Sequence, residues 1–522
     1  MANFAINPLL HPADNTPVTV CALPEIVAEP VRARDRARDG LGILTGICLV
    51  SALIGRLSYL VRPFDADGAM FIYMGKLVSQ GGRIGYELID NKFPTVGLLT
   101  SPCWKMFGDC WAAYVLLQTA LALTGAFLLA RSAQRNIGRH AGLPTGLFAL
   151  VYLNFNFGVF GGFQLETLQA FFSILAATAA MEAMGGDDAR DSFLAGLAAG
   201  VAAMIKPSGL AVLAAFGIAI LFRRRRIIAH GAAAAAGLAI PLAATLVYLQ
   251  AADLLAIMPA IWRQITGYAA NSPWEPWDLC KPVIVLLILG FPILIRGVVF
   301  RRPQHRTEIG GNPSIILFAI LWMTLEAAGI VAQRRMYAYH FLVLAAPASL
   351  LFGLIPRNMR VFPLGAALMI PALFSACGGI QVLADAPHSL LRSASEDYLA
   401  SHAGSGDAVW LDGMMRLLVR TDLQPGSRYP MTFLWVNDDD APLRYCRAML
   451  GDFDQRRPKY IVLPTKFDHY VHAISDHIKE LGLRPKRKAN FIHAWMMIHD
   501  YVLRNYHVEA QAGWETIYRR GS

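Results

Sequence analysis

The chain has 522 residues, 55 % of them apolar, with 47 Lys and Arg against 37 Asp and Glu for a formal net charge of +10. Charged residues make up 16 %, well under the roughly 25 % of an average soluble protein, and the mean hydropathy is +0.42, which together exclude an ordinary water-soluble enzyme. The positive excess is mostly arginine at the ends of apolar runs, where it orients helices in a membrane, so nucleic acid is not an expected partner.

Residues 1–39 are polar and end in Arg32, Arg34, Arg36 and Arg38, which reads as a cytosolic tail ahead of a retained first helix, with no cleaved signal peptide. Apolar runs then predict spans near 40–61, 111–131, 142–160, 165–184, 191–205, 208–222, 231–250, 282–299, 313–332, 341–356 and 361–384. At about 1.5 Å per residue, such runs approach or cross a hydrocarbon core of about 30 Å. With the N-terminus inside, the cytosolic loops collect Arg131, Arg135 and Arg139, then Arg223 to Arg226, then Arg301, Arg302 and Arg306, then Arg357 and Arg360. That is the positive-inside pattern; the short loop around Asp187, Asp188, Arg190 and Asp191 is its one weak point. Eleven spans, an odd number, put the tail from 386 to 522 on the extracytoplasmic side.

Three other segments share that side and do not read as simple connectors. Residues 62–110 hold two short semi-apolar stretches, GAMFIYMGKLV and PTVGLLTSPCWKMFG, expected as helices lying at the membrane surface. MIKPSG breaks two short apolar runs, and residues 251–280 carry Trp262, Trp274 and Trp277, as an interfacial segment should. In the tail, AVWL at 408–411, YIVLP at 460–464 and WETIYRR read as strands and FDHYVHAISDHIKELG as an amphipathic helix, which predicts a small α/β domain. The acidic run Asp438, Asp439 and Asp440 reads as a solvated loop. Seven cysteines without a CxxC pair suggest neither a disulfide framework nor a zinc site. The expected organisation is a cytosolic tail (1–39), a helical membrane module (40–385) and an extracytoplasmic α/β domain (386–522).

The densest chemistry lies in FDADGAMFIYMGKLVSQGGRIGYELIDNKFP at 64–94, with Asp65, Asp67, Tyr73, Gly75, Gly81, Tyr86, Asp90, Lys92 and Pro94 in order. FGGFQLETLQAFFSIL contributes Glu166, AAMIKPSGLAVLAA contributes Lys206, and VAQRRMYAYHFLVLAAP contributes Arg334, Arg335, Tyr337, Tyr339 and His340. In this order the segments resemble those of the GT-C glycosyltransferases, membrane enzymes that use polyprenyl-phosphate-linked sugars. Within them the pattern is similar to the group containing the lipid A aminoarabinose transferase, lipopolysaccharide-core galacturonosyltransferases and protein O-mannosyltransferases. The chain departs from that group in having Asp65 close to Asp67 and Phe93 where proline is commoner.

The resemblance implies a GT-C fold with about 11 transmembrane helices, juxtamembrane helices and the C-terminal domain. It also implies inverting sugar transfer from a polyprenyl phosphate to a lipid, glycan or protein acceptor in the envelope, at the outer face of a bacterial cytoplasmic membrane. A carboxylate must take the proton of the acceptor hydroxyl, a role for Asp67 or Asp65, with Glu166 at acceptor or donor sugar. Cations must hold the departing phosphate, a role for Lys92, Arg334, Arg335 and Lys206, with Asp90, Tyr73, Tyr86, Tyr337, Tyr339 and His340 in support. No cofactor is required; a divalent metal is compatible, but no ligand cluster demands one.

Each residue also has a plainer reading. Asp65 and Asp67 cap the following helix, Glu166 caps its own, and Lys92 and Lys206 snorkel to lipid headgroups, where Arg334 and Arg335 anchor. At the level of function, a polytopic transporter or lipid flippase and a noncatalytic envelope scaffold are the alternatives. A transporter expects ionisable groups at mid-membrane and internal pseudo-symmetry, whereas the charges singled out here sit at helix ends.

Overall fold

The structure is a computed structural model describing residues 28–61, 65–155, 162–186, 188–222, 226–271, 280, 313–334, 337–354, 361–385, 394–432, 435, 437–467, 471 and 484–521, with backbone alone over 28–41 and 361–367. It divides into a unit Met1–Ile43, whose described part is the first turns of the Ala28–Leu57 helix, and a unit Leu44–Ser522 that carries all that follows.

A helix stands at every expected span except 282–299, which lies outside the described residues, as do Trp274, Trp277 and nearly all of the FDHYVHAISDHIKELG segment. Among the described residues, five helices are long and apolar enough to cross a membrane by themselves: Gly42–Val61, Trp111–Asn136, Leu165–Gly185, Ile227–Ala251 and Pro313–Gln333. Pro207–Leu221, Ala338–Gly353 and Leu368–Ala384 are shorter apolar helices packed among them. Close packing comes from small residues. A Cβ added to Gly196 would meet the Ala234 carbonyl oxygen at 1.9 Å and one on Gly237 the Phe193 carbonyl oxygen at 2.0 Å, so the Ala189–Ile205 and Ile227–Ala251 backbones nearly touch.

The two semi-apolar stretches of 62–110 form the helices Ala66–Ser79 and Thr95–Phe107. The first is enclosed by protein. Gly68 through Lys76 are buried, and its Met70, Phe71, Ile72, Tyr73 and Met74 share one core with the C-terminal residues Trp410, Trp435, Phe453 and Trp495. Its sequence is apolar nearly all round, and such a helix must be covered on every side. Gly75 permits the contact with its neighbour, since a Cβ there would stand 2.7 Å from the Thr100 backbone.

The C-terminal residues build a five-stranded sheet of order β2-β1-β3-β5-β4 from β1 (Ala408–Trp410), β2 (Gln424–Pro425), β3 (Tyr460–Pro464), β4 (Tyr506–Ala512) and β5 (Glu515–Arg520). β1 pairs parallel with β2 and β3, and β5 runs antiparallel between β3 and β4. The three expected strands are β1, β3 and β5; β2, β4 and the helix Pro485–Asn505 are additions. Two helices, Ala441–Arg456 and Pro485–Asn505, explain the triple aspartate. Asp438 pairs with Arg444 at 2.6 Å, Asp439 with Arg487 at 3.1 Å and Asp440 with Lys486 at 3.1 Å, so the run is salt-bridged and not merely solvated.

Candidate active site

One cavity of about 650 Å³ gathers most of the chemistry singled out in the sequence. Asp67, Asp90, Lys92, Glu166, Lys206, Tyr337, Tyr339 and His340 line it, from segments spread over more than half the chain. They converge because each sits at a helix end or in the turn beside one. Asp67 lies in the first turn of Ala66–Ser79 and Glu166 in the first turn of Leu165–Gly185. Lys206 stands where Ala189–Ile205 stops and Pro207 opens the next short helix.

The polar wall is already paired. Glu166 is 2 % exposed and forms an ion pair with Lys206, and its same Oε1 lies 3.6 Å from His340 Nε2. The Tyr339 hydroxyl donates to Asp67 Oδ2 at 3.1 Å. Consecutive residues thus reach the two carboxylates, and their rings meet edge to face at 4.7 Å while Tyr337 stacks on Tyr339. Lys92 Nζ donates to Asn91 Oδ1 at 2.6 Å and stands 3.8 Å from Asp90 Oδ1. Burial pushes the Asp90 carboxyl above the ordinary aspartate range, with the Lys92 charge opposing. The facing wall is aromatic: Phe93 tilts against Trp262 with ring centres 5.6 Å apart, and Tyr268 lies beyond.

Other sequence candidates stand elsewhere. Asp65 does not line the cavity. It caps Ala66–Ser79, its Oδ1 accepting from the Gly68 amide at 2.5 Å and its Oδ2 from the Gly162 amide at 3.3 Å. Burial, with the Asp67 charge adding and the backbone amides opposing, pushes its carboxyl up to about 7. Tyr73 points into the core shared with the sheet, and the Tyr86 hydroxyl donates to the Asp253 carbonyl at 3.1 Å. Neither reaches the cavity. Of the expected cluster of Arg334, Arg335 and Lys92, Lys92 lines the cavity and Arg334 does not. Arg334 is exposed, in a left-handed conformation (φ 56°), and donates to the Ala270 carbonyl at 2.9 Å, capping the last turn of the Met258–Ala270 helix. Arg335 lies outside the described residues.

Reading the sequence missed several participants. Glu326, fully buried in Pro313–Gln333, accepts from the Trp322 indole at 3.4 Å one turn below Gly329, which lines the cavity. Arg56, also buried, donates to the Leu153 carbonyl at 2.9 Å and to Thr167 Oγ1 at 3.1 Å, bracing the helix that carries Glu166. Both could have been found as charges inside apolar runs, which cost roughly 2.5–3.5 kcal/mol at mid-membrane and demand a partner. Among the described residues, no group of three His, Cys, Asp or Glu side chains is placed to hold a metal ion.

Membrane helices that present a polar cavity where they meet a small α/β module define the class, a multi-pass membrane protein with the GT-C fold. Residues 91–250 match the family model described as dolichyl-phosphate-mannose-protein mannosyltransferase. Among solved structures the chain is similar to ArnT from Cupriavidus metallidurans bound to undecaprenyl phosphate, at 13% identity and a TM-score of 0.57 over 91% of this chain and 98% of that one. It is also similar to the same protein in the apo state, at 13% identity and a TM-score of 0.53 over 91% and 97% of the two chains. No curated protein matches the sequence.

Proposed function

We propose that this protein is an inverting membrane glycosyltransferase that moves a sugar from a polyprenyl phosphate to an acceptor of the cell envelope, whether lipid, glycan or protein. The observation that carries the reading is the convergence of Asp67, Glu166, Lys92 and Lys206 on one cavity beside membrane-spanning helices. The family match and the likeness to a protein with bound undecaprenyl phosphate support it.

Asp67 takes the proton of the acceptor hydroxyl as the oxygen attacks the anomeric carbon. The bond from that carbon to the phosphate oxygen breaks with its electron pair on the phosphate, and the ammonium groups of Lys92 and Lys206 stabilise the charge. Tyr339 holds Asp67 in place, and Glu166, fixed by Lys206 and His340, faces the sugar hydroxyls. Arg334 serves indirectly by holding the aromatic wall. The reading asks for no metal, since two cations supply the positive charge. It places the protein in a bacterial cytoplasmic membrane with the α/β domain outside.

The test is mass spectrometry of envelope glycolipids and glycoproteins from a deletion strain complemented with wild type or Asp67→Asn. Wild type restores a species heavier by one sugar, and Asp67→Asn, equally expressed, does not, with transfer down at least about a hundredfold. Restoration by Asp67→Asn would remove the base from the mechanism, and no mass change with wild type would refute the transferase.

A further inference from the structure

Asp65 is the one acidic residue of the 64–94 motif that stays out of the cavity and still touches the machinery on two sides. Its carboxylate lies between two chain segments 97 residues apart. One oxygen caps the helix whose first turn carries Asp67. The other accepts from Gly162, in the turn that opens the helix whose first turn carries Glu166. Two glycines make this approach possible. A Cβ on Gly68 would stand 3.0 Å from Asp65 Oδ1 and 3.3 Å from the Phe163 carbonyl oxygen, and one on Gly162 would stand 2.1 Å from the Trp111 ring and 3.2 Å from Asp65 Oδ2. Trp111 is fixed in turn, its indole donating to the Tyr59 carbonyl at 2.8 Å.

From this geometry we infer that Asp65 is a positioning residue, a carboxylate clamp that sets the separation of Asp67 and Glu166 across the cavity by holding the starts of their two helices together. The inference rests on the transferase reading, because it gives both carboxylates work at the reacting centre. A helix cap alone needs one oxygen and one amide; the second oxygen, spent on the Gly162–Phe163 turn, is what a cap does not explain. Burial pushes the Asp65 carboxyl up to about 7, so the clamped position holds a proton more tightly than a released, solvated carboxyl would, and protonation does not loosen it. The charged group facing it is Asp67, whose negative charge acts in the same upward direction.

The test adds purified full-length protein to membranes of a deletion strain, which retain unused donor and unmodified acceptor, and follows the rate of the one-sugar mass increase. Asp65→Ser keeps a good N-cap and is too short to reach Gly162. Asp65→Asn keeps one acceptor oxygen and sets an NH2 group in place of the other. Both variants are expected to bind undecaprenyl phosphate within about twofold of wild type, because Lys92 and Lys206 are untouched, and to lose transfer about tenfold or more. Wild-type transfer by Asp65→Ser would show that capping is the whole role. A deficit matched by lost undecaprenyl phosphate binding would show general structural damage; either result overturns the clamp. Wild type and Asp67→Asn run alongside: if wild type itself transfers nothing, the failure belongs to the transferase reading and not to Asp65.

Discussion

The Glu166 and Lys206 pair carries the largest energetic risk at the level of single residues. Glu166 has 3 % of its side chain exposed and Lys206 17 %, so each charge depends on the other. Replacing a whole buried pair by apolar groups is often tolerated, whereas removing one member strands the other and costs about 3–5 kcal/mol. Glu166→Gln is therefore expected to lower the detergent melting temperature sharply, and Glu166→Gln with Lys206→Met to recover most of the loss. Equal melting of wild type and the single variant would show that solvent screens the pair. These two residues were legible in the sequence because each marks an interruption of an apolar run. Their mutual pairing was not, because 40 residues separate them and nothing local in either segment encodes the meeting. Glu326 and Arg56 were harder still. Each is one charge in an otherwise continuous run, and no motif singles out the groups it meets, Trp322 in one case and Gln118, Leu153 and Thr167 in the other, as its partners.

Among the elements, the spans could be read from run length and composition, while their packing depends on small residues that hydropathy cannot see. Gly196 and Gly237 are such positions. Gly196→Ala would force a methyl into the Ala234 backbone, which cannot yield as a side chain can, and the helices must separate at a cost of about 1–3 kcal/mol. Because the Ala189–Ile205 helix ends at Lys206, that movement also reaches the cavity. Gly196→Ala is expected to lower the melting temperature and to weaken undecaprenyl phosphate binding together. Gly231→Ala, where nothing stands within 4 Å, is expected to do neither and to gain up to about 1 kcal/mol of helix propensity. The Ala66–Ser79 helix shows the opposite limit of legibility. Its motif drew attention to Asp67, which lines the cavity, but a 14-residue apolar helix beside a membrane reads as interfacial, and its burial follows from a sheet assembled more than 300 residues later.

For the whole molecule, the question is how the α/β module is joined to the membrane helices, since Met431 from that module lines the cavity. Lys76, only 6 % exposed, crosses the junction. Its ammonium donates to the carbonyls of Leu418 at 2.8 Å and Thr421 at 2.5 Å, at the end of the Met415–Arg420 helix, and lies 5.3 Å from the centre of the Trp104 ring. A cation at a helix C-terminus answers both the unpaired carbonyls and the negative end of the dipole. Lys76→Met keeps the length and the apolar stem and removes the donors. It leaves those carbonyls buried without the charge, at a cost of about 1.5–3 kcal/mol for each hydrogen bond. The expected result is faster hydrogen exchange over 415–425, with exchange in the Leu165–Gly185 helix unchanged, because the junction loosens while the bundle does not. Asp422, 4.0 Å from the same ammonium and 78 % exposed, offers a contrast: Asp422→Asn should change stability by less than about 1 kcal/mol and leave the exchange pattern alone. If Lys76→Met exchanges like wild type, the shared core of Met70, Ile72 and Met74 with Trp410 and Trp495 holds the two parts together without the lysine, and the burial of that ammonium serves the site in some other way.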